Sequence, residues 1–186
     1  MDERLSILLT NDDGIDAPGL ATLRTELTAV GEVTVVAPAS NQSGVGRTRS
    51  DEVVIRDHPW GVALNGTPAD CVAYALSGLE ERFDIVVAGV NNGPNAGNYI
   101  VGRSGTVGAG IEAAFLDSPA LAISAYHSTD FLISPREEYE CSRPAQIARR
   151  ITVGCIVAGV YDTVALLNAN APVDAPNPPV ILPEPN

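Results

Sequence analysis

Three short segments rich in Asp, Asn, Ser and Gly contain side chains that could bind a metal ion and a phosphate. They are residues 10–14, 38–44 and 89–98. The first contains two adjacent acids, Asp12 and Asp13. Neighbouring carboxylates repel each other, and one becomes protonated unless a cation compensates their charge. A bound divalent cation is the simplest compensation, so this pair predicts a metal site.

The other ligands on offer in these segments are amide and hydroxyl oxygens, which select a hard cation such as Mg²⁺, Mn²⁺ or Ca²⁺. A zinc site is not expected, because His58 and His127 belong to no ligand-spaced cluster. Asn-Asp-Asp-Gly at residues 11–14 is also a good turn sequence, so alone it leaves a structural turn and a metal site equally open. Ser43 and Asn91 alone are ordinary loop residues. The occurrence of all three segments together favours the site.

A possible phosphate site follows at Ser104-Gly105-Thr106, where a helix is predicted to begin. Free N–H groups and the positive end of a helix attract anions. Gly105 would let a phosphate approach the backbone, and the two hydroxyls could donate to it. The alternative is a plain N-cap made by Ser or Thr. The preceding Arg103 either pairs with a phosphate or lies in solvent, and the sequence leaves both open.

Five short apolar runs predict the strands that position these segments. They are residues 5–10, 33–37, 84–88, 120–124 and 163–167. Nearly continuous apolar runs of this length are typical of strands buried on both faces of a parallel sheet. The three polar segments follow the first three runs, so they would open on the same edge. In such sheets, ligands bind beyond the carboxyl ends of the strands.

Helices are predicted between the strands, which completes an α/β pattern: a Rossmann-like three-layer sandwich with a mostly parallel sheet. The helices are expected at residues 18–30, 68 onward, 106–116 and 144–159. Thr67-Pro68-Ala69-Asp70 is a good helix start, with a capping Thr, Pro at the first position and an acid three residues after the cap. The Gly- and Ala-rich stretch 106–116 is expected to pack closely on the sheet.

Three other segments do not fit the alternation. Residues 46–66 predict a β-ribbon, with arms at 49–56 and 61–65. Residues 127–140 are predicted to be irregular. The tail, residues 172–186, contains six of the 14 prolines and is excluded as a regular helix or central strand.

The charge balance excludes several classes of function. The net charge is −12, and all eleven basic residues are arginines, so there is no lysine. A phosphate-binding loop of the Walker type and Schiff-base chemistry both need a lysine. The arginines are scattered, which argues against nucleic acid as a partner, and the acid excess argues against an anionic membrane. Screening at high salt makes such a surface tolerable, so we expect adaptation to high salt.

Composition favours a single domain over residues 1–186, with 45% hydrophobic residues and no apolar run long enough to span a bilayer. The acidic N-terminus does not resemble a signal peptide. Three cysteines without framework spacing predict reduced thiols and a cytoplasmic protein. Cysteine-dependent phosphatases need an arginine six residues after the nucleophile, and none stands there, so Cys71 is expected to be a small buried residue.

Taken together, the motifs resemble the SurE survival-protein family of metal-dependent 5′/3′-nucleotidases. The matching segments are residues 7–15, 17–19, 35–38, 43–44, 66–71, 89–91, 93–95, 97, 104–107, 122–124, 166–168, 170 and 172. They occur in the family's order over roughly residues 5–172, and such a series is very specific.

The resemblance implies a Rossmann-like fold and hydrolysis of nucleoside 5′- and 3′-monophosphates. It implies one divalent cation per subunit, Mg²⁺ or Mn²⁺ with Ca²⁺ as a further occupant. The implied metal ligands are Asp12, Asp13, Ser43 and Asn91. The implied substrate-side residues are Asn11, Asn95, Ser104, Gly105 and Thr106. Catalysis is expected from Asp12, Asp13 and Asn95, with either carboxylate able to orient or deprotonate the attacking water.

One departure concerns the C-terminus. Family members continue beyond the Leu-Asn-x-Asn-x-Pro segment into an extended hairpin and a helix used in subunit exchange, whereas this chain ends at Asn186. We therefore expect a C-terminally short, haloarchaeal-type member. A homodimer or homotetramer is expected, and a truncated, non-catalytic nucleotide- or metal-binding module is the alternative function.

Overall fold

The computed structural model describes residues 4–128 and 139–175. Its strands are β1 (Leu5–Thr10), β2 (Gly31–Pro38), β3 (Ile55–His58), β4 (Gly61–Leu64), β5 (Ile85–Asn92), β6 (Ala120–Tyr126) and β7 (Leu166–Pro172). Its α-helices are α1 (Pro18–Thr28), α2 (Pro68–Gly78), α3 (Asn98–Arg103), α4 (Gly105–Phe115) and α5 (Ser142–Val157), and a 3₁₀-helix spans Val160–Asp162. The seven strands form one sheet in the order β3-β4-β2-β1-β5-β6-β7. All neighbours in it are parallel except the antiparallel β3–β4 pair.

Successive side chains of each strand point to opposite faces of the sheet. Both faces carry apolar side chains, and helices cover each of them. In β1, Ile7 and Leu9 pack in the cluster that includes α1 and α5, whereas Leu8 packs in the cluster that includes α2 and α4. All three side chains are fully buried. The predicted three-layer α/β sandwich with a mostly parallel sheet is thereby confirmed.

The helix starts show why the sequence folds locally as predicted. At α2, the Thr67 hydroxyl accepts from the Asp70 N–H at 3.2 Å, and the Thr67 N–H donates to the Asp70 carboxylate at 2.8 Å. Close packing of α4 is also confirmed, because a Cβ added to Gly110 would lie 2.5 Å from a methyl carbon of Leu166. Cys71 is fully buried on α2, as expected, and the three cysteines are free thiols.

Some predicted boundaries were wrong. The last strand, predicted at residues 163–167, runs from Leu166 to Pro172; residue 163 instead closes the 3₁₀-helix, with its N–H bonded to Val160 O. The first arm of the predicted ribbon starts only at Ile55, and β4 joins the main sheet by pairing in parallel with β2. Helix α3 was not predicted, and none of its residues is buried.

Part of the irregular segment and most of the proline-rich tail cannot be compared. Residues 129–138 and 176–186 lie outside the described residues. Within the described part, Pro172 is the last residue of β7, an edge strand, where a missing N–H is tolerated. None of the described helices combines the length and apolar content that crossing a bilayer requires.

Candidate metal and phosphate site

The loops that contain the predicted site residues follow strands on both sides of the point where the strand order reverses. From β1, the chain proceeds outward on one side to β2 and β4, and later crosses to β5 on the other side of β1. The connection after β1 leads to α1, and the connection after β5 leads to α3 and α4. Because α1 and α4 lie on opposite faces of the sheet, a crevice opens between the carboxyl ends of β1 and β5. This is the usual ligand position in such folds.

Asp12 is the buried acid of this crevice. It is 3% exposed, and its Oδ1 accepts a short hydrogen bond from the Thr106 hydroxyl. Burial raises the pKa of its carboxyl above the usual range, against smaller lowering effects from the hydroxyl and N–H of Thr106 and the N–H of Gly105. Burial disfavours the charged form of this carboxyl, and a nearby positive charge would favour it.

Gly105 allows this contact between α4 and Asp12. A Cβ at Gly105 would lie 2.7 Å from the Asp12 Cβ and 2.9 Å from its Oδ2. The N-terminal end of α4 is therefore pressed against the carboxylate, and its free N–H groups stabilise negative charge there.

Asp13 lies next to Asp12 and is only partly buried. Its Oδ2 accepts from the backbone N–H of Asn92 at 3.2 Å, which links the loop after β1 to the end of β5. The neighbouring Asn91 donates its side-chain N–H to the carbonyl of Gly93. This bond orients the side chain, and its amide oxygen is the atom that could bind a cation.

Asn11 supports the turn reading of residues 11–14. Its side-chain N–H donates to the Gly14 carbonyl at 2.8 Å and so closes the turn. Its Oδ1, however, is buried with no hydrogen-bond partner among the described residues. A buried unsatisfied oxygen is costly. The side-chain N–H of Asn11 thus closes the turn, while its oxygen is left for a ligand of the candidate site.

Ser43 lies in the loop after β2 and is exposed. Its backbone N–H donates to the side-chain oxygen of Asn41 at 2.8 Å. The preceding residue, Gln42, donates its N–H to the backbone carbonyl of Asp12 at 2.6 Å. This bond holds the Ser43 loop beside the acidic pair.

At the start of α4, both hydroxyls already have partners. Ser104 accepts from the N–H of Val107 at 3.0 Å, so the N-cap alternative holds for this residue. Thr106 donates to Asp12. A phosphate at this helix end therefore remains a prediction, and in this structure the negative group at the helix end is the Asp12 carboxylate.

Asn95 is held by side chains of β6 and β7. It is 5% exposed, and its side-chain N–H donates to the Ser124 hydroxyl at 2.9 Å. Its backbone N–H donates to Asn170 Oδ1 at 2.8 Å, and its carbonyl accepts from Asn168 at 2.8 Å and from Asn170 at 3.2 Å. A buried loop residue with this many partners has a fixed position.

A cavity of about 350 Å³ adjoins the acidic pair, which is within the usual size range for small-molecule sites. Of the predicted site residues, Asp13 lines it. Other polar lining groups are Asp16, Asn92, Ser40, Asn41 and Tyr139.

The donor set fits a hard cation. No group of three or more His, Cys, Asp or Glu side chains that could hold a metal occurs in the part of the chain that the structure describes. The available ligands are two carboxylates with amide and hydroxyl oxygens. Such oxygen sets suit Mg²⁺ and Mn²⁺, which bind through one or two carboxylates and retain waters for the substrate.

The sequence reasoning missed the residues that hold Asn95. Asn168 and Asn170 are two apart in a strand, so they share one face of β7. This spacing is visible in the sequence and could have indicated a common partner. Ser124, opposite Asn170 in the sheet register, gave no such signal because its pairing depends on the fold.

Known proteins resemble this chain over most of its length. The family described as "Survival protein SurE" matches residues 7–181. A "5'-nucleotidase SurE" of Halobacterium salinarum is 48% identical over 166 residues, which are 89% of this chain and 64% of that protein. A protein of the same name from Haloquadratum walsbyi is 44% identical, over 96% of this chain and 69% of that protein.

A solved structure agrees. The SurE protein from Aquifex aeolicus matches with a TM-score of 0.77 and 34% identity, covering 90% of this chain and 66% of that one. This chain thus spans about two thirds of the length of the relatives that it matches, and 64% of the Halobacterium protein. On the family match, the identity and the shared fold, the chain belongs to the SurE survival-protein family.

Proposed function

We propose that this protein is a divalent-metal-dependent phosphomonoesterase that hydrolyses nucleoside 5′- and 3′-monophosphates to nucleoside and phosphate. The observation that carries the proposal is the buried Asp12, adjacent to Asp13, at the crevice between β1 and β5. The name 5′-nucleotidase belongs to the relatives, and we extend it to this chain on the strength of that site.

Asp12, Asp13, Ser43 and Asn91 would hold the cation. When bound, it supplies Lewis-acid polarisation of a phosphoryl oxygen and compensates the two carboxylates. The ion is Mg²⁺ or Mn²⁺, with Ca²⁺ as a further occupant. Support comes from the oxygen-rich donor set and from the pKa of Asp12, which burial raises when no cation is near.

The residues of the chain would orient and stabilise the reacting groups. Asp12 or Asp13 orients the attacking water or accepts its proton. Asn95, fixed by its bonds to β6 and β7, would donate to a phosphoryl oxygen. The N-terminal end of α4 adds a positive field where negative charge develops. Asn11, Ser104, Gly105 and Thr106 shape the substrate side of this site.

The rival function is a module that binds nucleotide and metal without turnover. We propose residues 1–186 as a single catalytic domain that forms a homodimer or homotetramer in the cytoplasm. Light scattering tests the assembly, and a monomer would contradict that part of the proposal.

Phosphate release separates the two functions. Purified protein is incubated with AMP and Mn²⁺ or Mg²⁺ at high KCl concentration, with EDTA as the metal-free control. We expect metal-dependent release that Asp13→Asn abolishes. Asp16→Asn is the matched control, because Asp16 lies in the same loop and lines the same cavity, but its side chain is 84% exposed and its carboxylate contacts His58. Metal-dependent AMP binding without release would support the binding module, and wild-type turnover in Asp13→Asn would refute the site.

A further inference from the structure

Helix α3 carries an exposed aromatic residue and an arginine that are fixed to each other. Tyr99 is 70% exposed. The Arg103 guanidinium lies 5.5 Å from the centre of its ring and donates to its hydroxyl at 2.7 Å. Residues four apart lie on the same face of a helix. The two side chains therefore contact each other on one exposed face of the helix.

This pair of side chains lies where two loops of the candidate site meet. Arg103 directly precedes Ser104 and Gly105, and Gly105 abuts Asp12. On its other side, the Arg103 carbonyl accepts from the Gly46 N–H at 2.9 Å. A Cβ at Gly44, the residue after Ser43, would lie 3.5 Å from the guanidinium.

Arg103 also keeps its positive charge available. Three arginines of the described part pair with carboxylates: Arg47 and Arg49 with Glu112, and Arg149 with Glu26. No ion pair within residues 4–128 and 139–175 involves Arg103, whose hydrogen-bonding partner is the neutral tyrosine hydroxyl. In a chain of net charge −12, an anionic substrate gains from a cation beside the Ser43 loop.

We propose that Arg103 and Tyr99 form the nucleotide-recognition element of this site, with the guanidinium paired to the substrate phosphate and the tyrosine ring stacked on the base. The inference rests on the proposed function and adds a preference to it: esters that carry an aromatic base bind better than esters of the sugar alone. Every nucleobase has a flat face that an aromatic ring can stack on. The bond from Arg103 holds the ring in place before substrate arrives, which reduces the cost of ordering it.

Kinetics with two substrates test this assignment. AMP and ribose 5-phosphate share the phosphate and the sugar, and AMP alone carries a base. Tyr99→Ala is expected to raise KM about tenfold for AMP, the lower part of the range for base–aromatic stacking, and to leave ribose 5-phosphate within about twofold. Tyr99→Phe keeps the ring but removes the hydroxyl that accepts from Arg103, so its KM for AMP should lie between those of wild type and Tyr99→Ala. Arg103→Gln should raise KM for both substrates, with kcat changed less than KM.

The matched control is Ile100→Ala, because Ile100 lies on the same short helix and is 42% exposed. It should change neither KM. Equal effects of Tyr99→Ala on both substrates, or no effect on either, would overturn the proposal. A smaller assembly in light scattering, with AMP kinetics unchanged, would also overturn it, because the ring would then be an interface between copies.

Binding measurements keep this inference separate from the proposed activity. If the wild-type protein releases no phosphate from either ester, the enzymatic function fails. Equilibrium dialysis with Mn²⁺ then compares the dissociation constants of AMP and ribose 5-phosphate. A wild-type preference for AMP that Tyr99→Ala removes supports the recognition element, and an unchanged preference refutes it.

Discussion

The substitution Glu112→Gln tests how the Ser43 loop is held in place. Glu112 lies on α4 with a side chain 7% exposed, and it accepts from Arg47 at 2.9 Å and from Arg49 at 2.6 Å. Both arginines follow Ser43 in the same loop. These two ion pairs therefore hold the loop against α4, and the first residue of α4, Gly105, contacts Asp12.

The expected loss follows from the burial of the partners. Removing one member of a fully buried ion pair costs ~3–5 kcal/mol. Both arginine side chains are about half exposed, at 45% and 48%, so water replaces part of the lost interaction. We expect the free energy of unfolding to fall by ~2 kcal/mol, which lowers the melting temperature of a chain of this length by ~4–8 °C.

Thermal unfolding followed by circular dichroism at one fixed KCl concentration measures this loss. Glu26→Gln is the control, because the Arg149–Glu26 pair has a similar distance, 3.0 Å, but a more exposed acid, at 26%. A surface pair of this kind contributes ~1 kcal/mol or less. If Glu112→Gln melts at the same temperature as Glu26→Gln, the ion pair does not fasten the loop and the reasoning is wrong.

Three further predictions concern the helix start, the surface charge and the thiols. Gly105→Ala places a Cβ 2.7 Å from the Asp12 Cβ, so phosphate release from AMP should fall about 100-fold; rates close to wild type would contradict the close approach. The unfolding midpoint should rise from about 0.1 M to about 1 M KCl because salt screens the net charge of −12, and equal midpoints would refute adaptation to salt. In the native protein Ellman's reagent should react quickly with Cys155, which is partly exposed, and slowly with Cys71, whose thiol pKa is raised by burial; fast reaction at Cys71 would show that α2 opens readily.

The strands and the site loops were predictable because their signals are local. Residues 5–10 are mostly apolar and are followed by Asn-Asp-Asp-Gly at residues 11–14, so both the buried strand and the loop after it can be predicted from adjacent residues. The capping box of Thr67 and Asp70 is likewise contained in four residues. Features of this kind need no knowledge of distant parts of the chain.

The features that were missed depend on distant contacts. The pairing of β4 with β2 and the hold of Asn168 and Asn170 on Asn95 join residues far apart in the sequence. Helix α3 has six residues, contains Gly102 and has no buried side chain, so it shows no apolar periodicity. Its position follows from the loops that it joins rather than from its own sequence.

The central claim is that the two acids after β1 bind a hard divalent cation. Calorimetric titration of the metal-free protein with Mn²⁺ tests it most directly, comparing wild type with Asp13→Asn and Asp16→Asn. Each variant removes one negative charge from the same loop, so a general loss of charge affects both equally. We predict one Mn²⁺ per chain in wild type and Asp16→Asn, and no measurable binding in Asp13→Asn. Binding by Asp13→Asn as tight as that of wild type would contradict the account.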